Sequence, residues 1–138
     1  MKIIYLISLF TVALLFSCNE TANQKVSCSK YKIGNFLYKV RAKENPSAVF
    51  INRNDSIQTE IIKNTGDTGT LKIIWIDDCT YELRYLKIIS KEPDSLTFFK
   101  KAMKIKTKII GGTDIYYLFE STNDKNTFVL RDTIWITK

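Results

Sequence analysis

The sequence predicts an all-β fold: an antiparallel meander of about eight strands forming a lipocalin-like barrel or a strongly curved sheet. Three observations point there. Apolar and polar residues alternate with period two in segment after segment beyond residue 28. Those segments are rich in Ile, Tyr, Thr, Phe and Trp, which suit a pleated, half-buried surface. Turn chemistry separates them at intervals of roughly 8–12 residues, the spacing of short strands and not of βαβ units. A sandwich would fit the same pattern. Closure is favoured because it leaves no unpaired edge.

The chain opens differently. Lys2 precedes an apolar run from Ile3 to Phe16, about 14 residues, broken only by Ser8 and Thr11. A membrane-spanning helix needs roughly 20. A short apolar run behind a positive residue and before a small one is a signal-peptide pattern. Leu15, Ser17 and Cys18 fit the lipobox, in which the cysteine is acylated and becomes the new N-terminus; the bulky Phe16 departs from it. Residues 1–17 therefore read as a lipoprotein signal peptide and 18–27 as a polar tether. Residues 28–138 read as a single domain. Asn19 after the cysteine favours the outer membrane, so the expected location is the cell envelope, lipid-anchored.

In order along the domain, Phe36, Tyr38 and Val40 mark the first strand, and Val49 and Ile51 the second. Ile57, Thr59 and Ile61 mark the third, and Leu71, Ile73 and Trp75 the fourth. Tyr81, Leu83 and Tyr85 share one face of the fifth, with Glu82 and Arg84 opposite. Ile105, Thr107 and Ile109 alternate with three lysines in the sixth. Ile115, Tyr117 and Phe119, then Phe128, Leu130, Ile134 and Ile136, supply the last two. Asn54-Asp55, Asn64 to Gly69, Asp77-Asp78, Gly111-Gly112 and Asn123-Asp124 are turn signals, with Gly111-Gly112 a hairpin signal between two strand patterns. Pro93-Asp94-Ser95 can start a short helix near 94–103, with Leu96, Phe99 and Met103 at helical spacing.

Composition narrows the function. There is no histidine among 138 residues. The usual general base and zinc ligand are therefore missing, and a metal site would have to be built from carboxylates. The expectation is a non-enzymatic protein with no cofactor. The net charge of +7 is mostly lysine, and a specific nucleic-acid role conflicts with export. With Cys18 acylated, Cys28 and Cys79 remain. In an oxidising compartment an even pair reads as a disulfide, closing a loop of about 50 residues worth roughly 4 kcal/mol. Two buried free thiols are the alternative.

Cys28, Gly34-x-Phe36, Ile51-x-Arg53, Gln58-x-Glu60 and Trp75-x-x-x-Cys79-x-Tyr81-x-Leu83 together resemble a family of small uncharacterised bacterial envelope lipoproteins. The resemblance spans Cys28 to Tyr85 and supports the Cys28–Cys79 pairing. Members often carry a topoisomerase IV name. This sequence shows no ATP-binding or DNA-cleavage motif that would suit it. The family implies architecture and no activity.

Several residues invite a site. Arg53, Gln58 and Glu60 would lie close across the Asn54-Asp55 turn. They form either a ligand-orienting cluster inside the barrel or a cross-strand ion pair on the solvent face, and polarity favours the solvent face. Trp75, Tyr81, Tyr85, Tyr117, Phe119 and Trp135 line an aromatic pocket or simply fill the core; core is the commoner role. Lys100, Lys101, Lys104, Lys106 and Lys108 form a solvated face, a protective charged edge or a headgroup contact, the first two preferred. Asp77 and Asp78 would point to opposite faces of a strand and read as turn residues. Thr65 to Gly69 lacks the lysine and length of a P-loop. The resulting expectation is a carrier or binding module for a small apolar or amphipathic ligand, tethered to membrane by its lipid. An accessory subunit docking on an envelope protein complex is the alternative.

Overall fold

The computed structural model describes residues 27–41, 46–91 and 103–138. Eight strands follow one another: β1 (Gly34–Val40), β2 (Ser47–Arg53), β3 (Ile57–Ile62), β4 (Thr68–Trp75), β5 (Thr80–Ile89), β6 (Lys104–Gly112), β7 (Tyr116–Asn123) and β8 (Asn126–Thr137). Each pairs antiparallel with the next, and β8 returns to β1, so the meander closes into a barrel. The expected signal segment, the expected tether up to residue 26 and the expected helix near 94–103, but for Met103, lie outside the described residues.

Period-two patterning sets the inside. Phe36, Ile51, Leu71, Ile73, Tyr81, Leu83, Ile109, Tyr117, Phe119 and Ile134 are all buried in one core. Fully burying each such side chain contributes about 1.5–3 kcal/mol. Tyr81, Leu83 and Tyr85 point inward together with Ile73 and Trp75, as their alternation predicts, while Arg84 faces water. Bulges interrupt the β4–β5, β6–β7 and β7–β8 ladders, bending strands that must curve into a closed sheet.

One end of the barrel is plugged. A 3-10 turn, Ser29–Tyr31, precedes β1 and drops the Tyr31 ring into the interior, fully buried. Tyr31 packs on Tyr117 with ring centroids 5.0 Å apart, and its hydroxyl donates to the Thr113 carbonyl at 3.0 Å. Cys28 and Cys79 are joined by a disulfide, Cα to Cα 5.2 Å. Cys28 sits ahead of the 3-10 turn and not in the first strand, so the bond ties the plug to the β4–β5 turn. Lys32 pairs with Asp78 of the same turn at 3.2 Å.

Two turn expectations change. Gly111 and Gly112 end β6, and the reversal is made by Thr113 to Ile115, closed by Thr113 N–H donating to the Tyr116 carbonyl. Gly112 is needed for space: a Cβ there would meet the Tyr31 hydroxyl at 2.5 Å and the Tyr116 carbonyl oxygen at 2.7 Å, whereas one on Gly111 would meet nothing within 4 Å. In Thr65 to Gly69, the last two residues already belong to β4. Asn54-Asp55 does form the β2–β3 hairpin turn, with the Asn54 side-chain oxygen accepting from the Ser56 and Ile57 N–H groups. Asp77 likewise accepts from Cys79 N–H, as a turn residue does.

On the outside, β5 to β7 carry a charged stripe: Lys104, Lys106 and Lys108 are exposed on β6, facing Arg84, Glu82 and Glu120 across the ladders. Because β6 is paired on both sides, this is a solvated face and not an edge. Around β8, β1, β2 and β3 an apolar row crosses the strands. Trp135 pairs with Leu37, Leu37 with Phe50, and Phe50 with Ile61. Phe50 and Ile61 are 46% and 44% exposed.

Candidate ligand cavity and its polar floor

Three residues expected on the solvent face lie inside. Arg53 is 1% exposed and Gln58 2%, and Glu60 is half-buried, facing inward beside them. The cause is parity: Arg53 shares a face with Val49 and Ile51, and Gln58 and Glu60 share one with Ile62. β3 is inverted, polar inward and Ile57 and Ile61 outward, which is why polarity misassigns it.

A buried guanidinium must be satisfied or it is prohibitively costly. Arg53 makes four hydrogen bonds. Its Nε–H donates to Gln58 Oε1 at 2.8 Å, Nη1 to the Tyr31 carbonyl at 2.9 Å, and Nη2 to the Tyr81 and Tyr117 hydroxyls, each at 3.1 Å. The Phe36 and Tyr81 rings stack on it at 5.0 and 4.7 Å. Burial opposes its charge, and Tyr81 and Tyr117 more than offset that, so it stays protonated. Arg53 is thus the hub that holds the plug to the barrel wall.

Above this hub the described residues leave a hollow. A cavity of about 300 Å³ is lined by Ile51, Leu83, Ile105, Phe119, Leu130 and Ile134, with Val49, Ile62 and Tyr38 nearer the far end. Its polar groups are few: Gln58, Glu60, Tyr81, Tyr85 and the Thr107–Ser121 hydroxyl pair, 2.6 Å apart. Gln58 Nε2 donates to Glu60 Oε1 at 2.6 Å. Burial, and then the Glu60 charge, push the Tyr85 hydroxyl well above its ordinary range, so it stays neutral and can donate. An apolar hollow with a few convergent polar groups is the usual form of a small-molecule site.

The structure therefore divides the six weak binding candidates. Gln58, Glu60, Tyr81 and Tyr85 line the cavity. Arg53 lies beneath its floor. Trp75 does not line it: its ring packs on Tyr81 at 4.8 Å with Lys32 above it at 4.8 Å, at the plugged end. Of the wider aromatic set, Phe119 lines the cavity and Tyr117, on β7, packs against the plug. Trp135 is on the outer face, against Tyr116. The polar lining residues that the site candidates missed were Tyr38, Thr107 and Ser121; the inward parity of Thr107 with Ile105 and of Ser121 with Phe119 was legible. Cys28, Cys79 and Asp78 lie within 4.8 Å of one another, but the disulfide occupies both sulfurs and leaves no thiolate for a metal.

Neither a family model nor a curated protein sequence matches this chain.

Proposed function

We propose that the protein is a lipid-anchored module of the cell envelope that binds or carries a small apolar or amphipathic molecule inside its barrel. One observation carries the reading: an eight-stranded barrel can be filled by its own side chains, and this one keeps a lined hollow of about 300 Å³ over a satisfied polar floor. The anchor rests on Leu15-x-Ser17-Cys18 and on the resemblance to envelope lipoproteins. Acyl chains on Cys18 would hold the protein at the membrane, since each buried CH₂ contributes about 0.8 kcal/mol. The barrel itself is then left to the ligand. No general base or nucleophile enters this reading, which is one of binding.

Native mass spectrometry of the protein extracted from cell envelopes tests both halves. The expected result is an acylated chain beginning at Cys18, carrying a non-covalent amphiphile that organic solvent releases. A chain still bearing residues 1–17 would refute the anchor. A barrel that is empty as isolated and takes up no added octanol would refute the carrier role.

A second reading has its own observation. The row Trp135, Leu37, Phe50 and Ile61 on the outer wall is the surface an accessory subunit would offer to an envelope protein. Phe50→Asp would abolish such docking and leave ligand uptake intact.

A further inference from the structure

The geometry assigns a polar anchor for the ligand: we infer that the Thr107–Ser121 hydroxyl pair holds an uncharged oxygen acceptor, the carbonyl of a ketone or an ester. This rests on the carrier reading and narrows it.

The hub accounts for other polar groups inside the barrel. Arg53, Gln58, Tyr81 and Tyr117 satisfy one another beside the plug. The Thr107–Ser121 pair stands apart from them. Thr107 is 3% exposed, and its Oγ1 lies 2.6 Å from Ser121 Oγ. The two residues face each other across the β6–β7 ladder, and Ser121 faces Leu130 on β8. Their inward neighbours along the strands, Ile105, Ile109 and Phe119, are apolar. Neither the plug nor a turn requires hydroxyls here. Val and Ala would take the same inward positions with no polar atom to satisfy.

Each hydroxyl carries one donor and two acceptor sites. Among the described residues the pair bonds only to itself, and both side chains line the cavity. Whichever oxygen donates, that bond uses one proton and leaves the other without an acceptor. A buried donor left that way is unfavourable, and an acceptor that reaches it removes the penalty. A carbonyl oxygen supplies the acceptor and brings no donor of its own. An ammonium only donates, so the proton stays unpartnered. A carboxylate accepts, but one neutral hydroxyl does not offset the desolvation of a full charge. The hollow of about 300 Å³ equals roughly ten waters, room for an eight-carbon chain around such a head.

Calorimetric titration of the purified protein near pH 7 with methyl hexyl ketone, octanoate, octylamine and ethylbenzene decides it. At that pH the acid is anionic and the amine cationic. The ketone should bind tighter than either charged ligand. In a variant combining Thr107→Val with Ser121→Ala its affinity should fall about five- to tenfold, the span of one neutral hydrogen bond, while ethylbenzene, which has no acceptor oxygen, stays within about twofold. The carbonyl stretch of the bound ketone is a readout that needs no variant. It should lie below its frequency in hexane and return toward it in the double variant. An unchanged ratio of ketone to ethylbenzene affinity in the variant would overturn the inference and leave the carrier reading standing. A hexane-like stretch in the parent would do the same, as would octanoate or octylamine binding as tightly as the ketone. Failure of all four ligands to bind would overturn the carrier reading itself.

Discussion

Arg53 decides more of this molecule than any other residue. It is fully buried, yet its guanidinium is bonded to three strands and to the plug. Arg53→Met should cost about 3 kcal/mol or more, because it leaves Gln58 and two tyrosine hydroxyls with lost partners. Arg53→Lys should recover little, since an ammonium cannot reproduce the fork; urea melts of both variants check this. Tyr117 in the same cluster gives a pH signature. Burial first, and Tyr81 beside it, raise its hydroxyl well above 10, with Arg53 pulling the other way. The neutral phenol is the folded form. Stability is full below the unfolded value of about 10 and is lost as pH rises through the raised folded value. The urea midpoint should fall between about pH 9 and pH 11, and fall less in Tyr117→Phe. None of this was legible locally. Arg53 reads as a surface residue because its partners Tyr31, Tyr81 and Tyr117 lie 22, 28 and 64 positions away.

At the scale of elements the sequence spoke more clearly. Alternation of Ile105, Thr107 and Ile109 with three lysines, or of Tyr81, Leu83 and Tyr85 with Glu82 and Arg84, follows from a strand with one face dry. The folded β5 and β6 keep that assignment. β3 misled for a physical reason: Ile57 and Ile61 face out, Ile61 into the apolar row with Phe50, while Gln58 satisfies Arg53 within and donates to Glu60. Turn positions were legible to within a few residues, but Gly111 and Gly112 end β6 and do not make the reversal, and Gly112 serves packing. Gly112→Ala forces a methyl against Tyr31 and the β6–β7 backbone and should destabilise by about 1–3 kcal/mol. Gly111→Ala meets nothing within 4 Å and should stay within about 0.5 kcal/mol of the parent. Thermal melts of the two separate a steric role from a turn role. Equal, small effects would show that Tyr31 does not seat where the plug requires.

For the whole molecule, strand count and closure were legible, since about eight short strands in a meander leave few alternatives. The Cys28–Cys79 disulfide was legible from cysteine arithmetic and the expected compartment. Whether the barrel is full was not, because volume depends on how side chains from all eight strands meet and on the plug that displaces the core toward one end. The hollow that results faces away from the disulfide-tied end, and its described lining joins residues from β1 to β3 and from β5 to β8. The outer apolar row lies on the opposite side of the same strands, so inner and outer binding give different residue maps. Amide NMR of isotope-labelled protein titrated with octanol reads that difference directly. An interior ligand moves the resonances of Gln58, Glu60, Leu83 and Phe119 and leaves Leu37 and Phe50 in place. Shifts confined to Leu37, Phe50 and Ile61, or no shifts at all, would contradict a barrel that carries its ligand inside.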